Sequence, residues 1–224
     1  MSRSSLILTA ALAATYAAFW VWWGGTGQPL TPDEAVVYLA RLETIARENG
    51  NPESKTVRAF RELIPQDDGN EYYMINLMKY REKAEYPPGS PFDDDVQAAA
   101  DRYTAAVLPA LLKRGSLPIL LAARQGNFLG FEGADEWDEV GIVRYRSRRD
   151  MLEFAIDLGS RGQGQHKDAS IEKTHVFPAA PIIDLVFVRG AVAVALVFIG
   201  LAIHFLLLRR PARRASGTAG EGSG

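Results

Sequence analysis

Two of the three histidines in this 224-residue chain lie in the stretch Gly162-Gln163-Gly164-Gln165-His166-Lys167-Asp168-Ala169-Ser170-Ile171-Glu172-Lys173-Thr174-His175. An imidazole is the side chain best suited to exchange protons near neutral pH. His166 follows a glycine-glutamine run and is expected to open a short turn into a strand, where a loop residue reaches the mouth of a cavity. As the candidate catalytic residue it would be a general acid or base, with Asn76 and Tyr103 as orienting contacts. The competing reading leaves it facing solvent or capping a helix, since spacing fixes no carboxylate beside it. His175 shares a strand face with Ile171 and Lys173, opposite Thr174 and Val176, the pattern of a half-exposed strand residue. His204 lies in an apolar run, where it either bonds to a neighbouring helix or, with a second copy, ligates haem.

Other side chains carry a structural reading beside the functional one. Met74, Asn76 and Met78 share one strand face, and a buried asparagine needs partners, either in the sheet or dimer or on a cavity-bound substrate. Thioethers four apart suit copper(I), although methionine is first a filler of gaps. Trp137-Asp138-Glu139 offers an acid or base, or else the solvated start of a strand. Asp93-Asp94-Asp95 lacks the spaced donors of a calcium loop and stands where a helix favours negative charge. Arg144, Arg146, Arg148 and Arg149 form a dense basic patch, either a solvated edge or a contact for an anionic substrate; the cavity-lining or substrate-binding candidates are Asn76, Tyr103, Met74, Met78 and Arg144. The chain has no cysteine, which excludes disulfides, thiol nucleophiles and Cys-ligated metals. It also lacks the glycine-rich nucleotide loops, the Gly-x-Ser-x-Gly elbow and the His-Glu-x-x-His zinc motif. These residues name no cofactor and no metal site.

Two apolar runs bracket the positions just considered, apart from His204, which lies within the second. Leu6 to Trp23 is uncharged and closes on Trp20, Trp22 and Trp23, which reads as an uncleaved signal anchor with an interfacial aromatic belt, a cleaved signal peptide being the alternative. Gly190 to Leu208 is the second span, followed by Arg209, Arg210, Arg213 and Arg214, which with Arg3 mark the cytoplasmic side. The reading is a two-pass protein of the cell (inner) membrane with both termini cytoplasmic and the main domain extracytoplasmic or periplasmic. The alanine stripes Ala10, Ala14, Ala18 and Ala191, Ala195 permit close helix contact. From Gly24 to Pro181 there are 19 Lys+Arg against 25 Asp+Glu, a net −6, so no basic surface favours nucleic acid.

Between the spans the pattern predicts a helical hairpin and then a domain. Thr31-Pro32-Asp33-Glu34 starts a helix that Asn49-Gly50 stops; Asn51-Pro52-Glu53 starts a second, with Val57, Phe60, Leu63 and Ile64 inward until Pro65. A strand follows over Tyr72 to Tyr80. Next come a helix over Asp93 to Arg114 with Val96, Tyr103, Val107, Leu111 and Leu112 inward, and strands over Leu117 to Phe131 and Asp138 to Arg146. Ser147 caps a helix that Gly159 stops, and Ile171 to Phe177 is the last strand. The fold class is α+β, a ferredoxin-like βαββαβ domain between two transmembrane helices. The expected organisation is 1–23 tail and span, 24–69 helical hairpin linker, 70–178 domain, 182–208 second span and 209–224 basic, then disordered, tail.

Met74-Ile75-Asn76-Leu77-Met78-Lys79-Tyr80, Trp137-Asp138-Glu139-Val140, Val143-Arg144-Tyr145-Arg146-Ser147 and His166-Lys167 stand in an order that resembles the dimeric α/β-barrel superfamily. Within it, residues 70–178 are similar to the small domain of unknown function numbered thirteen-thirty. The resemblance implies a homodimer whose four-stranded sheets face each other around a cavity. Relatives include isomerases, cofactor-independent monooxygenases and haem enzymes, so fold alone selects no function. Three functions follow as expectations: an anchored domain that binds a small apolar molecule or acts as an accessory subunit, an isomerase- or monooxygenase-type enzyme using the cavity, and a haem or metal redox protein.

Overall fold

The computed structural model describes residues 3–130, 137–182 and 188–208, and the chain divides into two compact units. The larger, Trp20–Asp184, is α+β. Its helices are the end of α1 (Arg3–Gly24), α2 (Pro32–Glu48), α3 (Lys55–Leu63), α4 (Val96–Leu112), α5 (Arg148–Ser160) and α6 (Gly164–Ser170); its strands are β1 (Tyr72–Tyr80), β2 (Leu117–Ala123), β3 (Glu139–Tyr145) and β4 (Ile171–Ala179). The strands form one four-stranded antiparallel sheet in the order β2-β3-β1-β4.

Local chemistry explains most boundaries. Thr31 accepts a hydrogen bond from the Glu34 amide while the Glu34 carboxylate receives the Thr31 amide, a reciprocal cap that starts α2. Asp95 caps α4 by accepting from the amides of Gln97 and Ala98, so the aspartate run is a helix start, three residues later than the pattern suggested. α3 likewise begins at Lys55, beyond Asn51-Pro52-Glu53. β2 ends at Ala123; the expected end at Phe131 lies outside the described residues. α5 runs through Gly159 to Ser160, and Gly162, at φ +65°, supplies the left-handed turn instead. β4 continues through Pro178, which edge position permits because its missing N–H breaks no inner ladder.

Directly opposed residues of an antiparallel pair share a face. Tyr72, Met74, Asn76 and Met78 thus lie with Tyr145, Val143, Gly141 and Glu139 on the helix-covered face. There Tyr72, Met74 and Tyr145 pack with Leu111 of α4 and Leu152 and Phe154 of α5. The same core takes in Leu42, Ile45, Val57, Phe60 and Leu63, so the segment read as a linker is built into the domain. Leu112, expected to face inward, is 42% exposed. The other face carries Ile75, Leu77, Val140 and Ile142, with Leu120 and Phe177 at 44% and 40% exposure.

In the smaller unit α1 packs against α7 (Val188–Leu208). The Tyr16 hydroxyl donates to the Arg189 carbonyl at 3.3 Å, Ser5 Oγ lies 3.5 Å from His204 Nδ1, and a Cβ on Gly200 would fall 2.8 Å from Leu12. Low sequence numbers meet high ones, so the pair is antiparallel. Arg3–Gly24 and Val188–Leu206 are long and apolar enough to cross a membrane by length and composition.

Candidate functional site

His166 sits in α6, not in a flexible turn, and is only 5% exposed. A hydrogen bond of 2.8 Å joins its Nδ1 to the Tyr86 hydroxyl. The rings of Phe92 and Tyr86 meet it edge-on, with centroids at 4.8 and 5.7 Å. Arg102 of α4 lies over Phe92 at 5.0 Å, with Asp93 at 3.4 Å from its guanidinium. Burial, with the Arg102 charge as a second cause, pushes the imidazole below its ordinary value. A neutral imidazole bonded to a phenol inside an aromatic box is the result.

The proposed orienting residues occupy other places. Asn76 Nδ2 donates to the carbonyls of Met74 and Gly141, at 3.0 and 3.3 Å, pinning β1 to β3. Met74 is in the core, and Met78 fills the space that Gly141 leaves open, its Cε 3.2 Å from where a Cβ would stand. Tyr103, next to Arg102 on α4, is half-buried, and burial together with the Asp168 charge pushes its phenol up to about 12. His166 and Asn76 thus belong to separate clusters.

The basic patch is neutralised from within. Arg144 pairs with Glu71, Arg146 with Asp150, Arg148 with Asp68 and Asp67, and Arg149 with Glu34. Arg149 and the Thr31 amide hold the Glu34 carboxyl down to about 2. Arg144, read as a cavity contact, is 1% exposed and stacks on Trp23 at 3.8 Å. Its Nη1 and Nη2 donate to the carbonyls of Gly115 and Trp23 at 2.8 and 2.9 Å.

Asp138 accepts from the Tyr80 amide at 2.9 Å and from Lys79 Nζ at 3.0 Å, which hold its carboxyl below the usual range and tie the start of β3 to the end of β1. Glu139 accepts from the Tyr80 hydroxyl at 2.9 Å. Trp137, His175 and Phe177 form an aromatic strip, with centroids 6.5 Å apart for the first pair and 5.3 Å for the second, and His175 is exposed. Two shallow surface depressions, of about 340 and 370 Å³, are lined by Arg81, Glu82, Lys83, Glu85 and Glu172 and by residues of α4 and α5; neither is lined by His166, Asn76 or Tyr103. Among the described residues no group of three His, Cys, Asp or Glu is placed to hold a metal ion.

Tyr86, Phe92 and Arg102 around His166, and Trp23 and Glu71 around Arg144, were not visible in the sequence pattern. They come from segments far from the residues they touch.

No family model and no curated protein matches the chain. Among the solved structures that resemble it are two of RPA0582, a protein of unknown function from Rhodopseudomonas palustris. One is of the methylated protein, at TM-score 0.52 and 22% identity, covering 59% of this chain and 94% of that one. The other gives TM-score 0.51 and 23% identity over 58% of this chain and 95% of that one. At this identity the likeness speaks for the fold.

Proposed function

We propose that this protein is a membrane-anchored extracytoplasmic domain of the ferredoxin-like type that dimerises through its open sheet face and holds a small apolar molecule between the two sheets, as a binding or accessory subunit. The strand order β2-β3-β1-β4, antiparallel throughout, supports the ferredoxin-like reading, as does the resemblance of residues 70–178 to the dimeric α/β barrels. Two apolar helices and the arginines after Leu208 support the two-pass topology with cytoplasmic termini.

The observation that carries the proposal is the face with Ile75, Leu77, Val140, Ile142, Leu120 and Phe177. The centre of this face, between Arg144 beneath Trp23 at one end and Lys79 and Lys173 at the other, is apolar and partly exposed, and a second copy supplies a cover of matching character. Trp137 and His175 beside Phe177 would give the enclosed space an aromatic wall and one polar tip. The internal pairing of Arg144, Arg146, Arg148 and Arg149 favours an uncharged ligand over an anionic one. Native mass spectrometry of the detergent-solubilised protein tests the reading: it predicts a dimer that carries a small molecule. A monomer with nothing bound counts against it.

A second reading, a small-molecule enzyme with His166 as acid or base, is favoured by one observation, the 2.8 Å bond between a neutral imidazole and the Tyr86 phenol. It predicts that His166→Ala lowers turnover about a hundredfold with the fold intact. Unchanged ligand binding and complementation by that variant would leave the binding-domain reading in place.

A further inference from the structure

We infer that the last turn of α1, Trp20–Gly24, is a structural plug of the folded domain, and that the mature chain therefore keeps these five residues. The plug lies wholly inside the Trp20–Asp184 unit, so the inference goes beyond the proposed function and does not need it.

A helix end leaves carbonyl groups without intrahelical partners, and the C-terminal end of the dipole favours cations. At the end of α1 the domain supplies both needs. The Val21 carbonyl receives the amide of Gly25, at φ +64°, in 2.8 Å. The Trp22 carbonyl receives Arg146 Nη1 at 3.0 Å, and the Trp23 carbonyl receives Arg144 Nη2 at 2.9 Å. In return Trp22 Nε1 donates to the Leu112 carbonyl, at the C-terminal end of α4, at 3.0 Å.

The ring of Trp23, 8% exposed, covers the Arg144 guanidinium. Gly115 completes the cradle: at φ +62°, a Cβ there would stand 2.1 Å from the Trp22 carbonyl oxygen. Without these residues Arg144 would lose a carbonyl acceptor and its aromatic cover, keeping Glu71 and Gly115 as partners. A buried guanidinium left with one donor unsatisfied and its aromatic cover gone is destabilised even with Glu71 still paired. Cleavage within Trp20–Gly24, or directly after it, would thus remove part of the domain.

Two measurements on the full chain test this. The intact mass of the protein purified from membranes should include Trp20–Trp23. A mature chain that begins after Trp23 and still resists proteolysis as the uncleaved chain does would overturn the inference. In detergent, Trp23→Ala should speed protease digestion of the domain at least tenfold. Val21→Ala, at a residue 61% exposed, should not. Failure of Trp23→Ala alone to accumulate counts in favour, provided a chain with residues 4–19 replaced by an unrelated apolar helix, and 20–24 retained, folds normally. That replacement separates loss of the plug from loss of membrane insertion. Equal digestion rates for Trp23→Ala and Val21→Ala would contradict the inference.

Discussion

The Tyr86 hydroxyl and His166 Nδ1 are bonded at 2.8 Å, joining the loop after β1 to α6 across 80 residues of chain. The bond links a titratable group to the position of that loop. Because burial and Arg102 depress the imidazole below its ordinary 6.5, the unfolded chain takes up the proton first as the pH falls. The stabilisation is therefore complete above 6.5 and is lost as the pH falls through the window between 6.5 and the depressed folded value. The charged groups at this ring are Arg102 and, beyond it, Asp93. Urea unfolding of the wild type and His166→Asn between about pH 8 and pH 5 checks the point. The wild type should lose more stability than the variant below 6.5, and parallel curves would refute the coupling.

The helical hairpin is part of the fold, so damage to it should register in the whole domain. Phe60, 3% exposed, packs in the core with Tyr72 and Phe154, and Phe60→Ala is expected to cost about 3–5 kcal/mol. Thr31→Ala removes one half of the reciprocal cap on α2 and should cost about 1 kcal/mol. Chemical denaturation followed by tryptophan fluorescence reads both. A Phe60→Ala loss no larger than that of Thr31→Ala would mean the hairpin is peripheral.

Topology is open to reporter fusions. A phosphatase fused near Gln66 should be active, and one fused after Arg214 inactive, if the arginines beyond Leu208 hold that end in the cytoplasm. The opposite pattern would invert the assignment.

Elements fixed by neighbours in sequence were legible without the structure. Thr31 and Glu34 lie three apart, and Tyr72–Tyr80 has a strand composition strong enough to be read alone. α6 was not legible: seven residues beginning with glycine, with no side-chain cap, hold a helix only because Ala169 and His166 are buried against neighbouring segments. The placement of Arg144 failed for a related reason. An arginine in a strand reads as surface or site, and nothing nearby announces that Trp23, 121 residues earlier, covers it. Asn76 was recognised as a polar residue in need of partners, but only register identified them as Met74 and Gly141.

The proposed pairing of open sheet faces can be tested in the native membrane. The chain contains no cysteine, so Phe177→Cys places a single thiol on the open face, and Val36→Cys places one on α2 at a residue 67% exposed. Treatment of intact membranes with a short bismaleimide should give a covalent dimer for Phe177→Cys and only monomer for Val36→Cys. Monomer for Phe177→Cys, with the thiol shown to be reactive, would contradict the dimer across the open face.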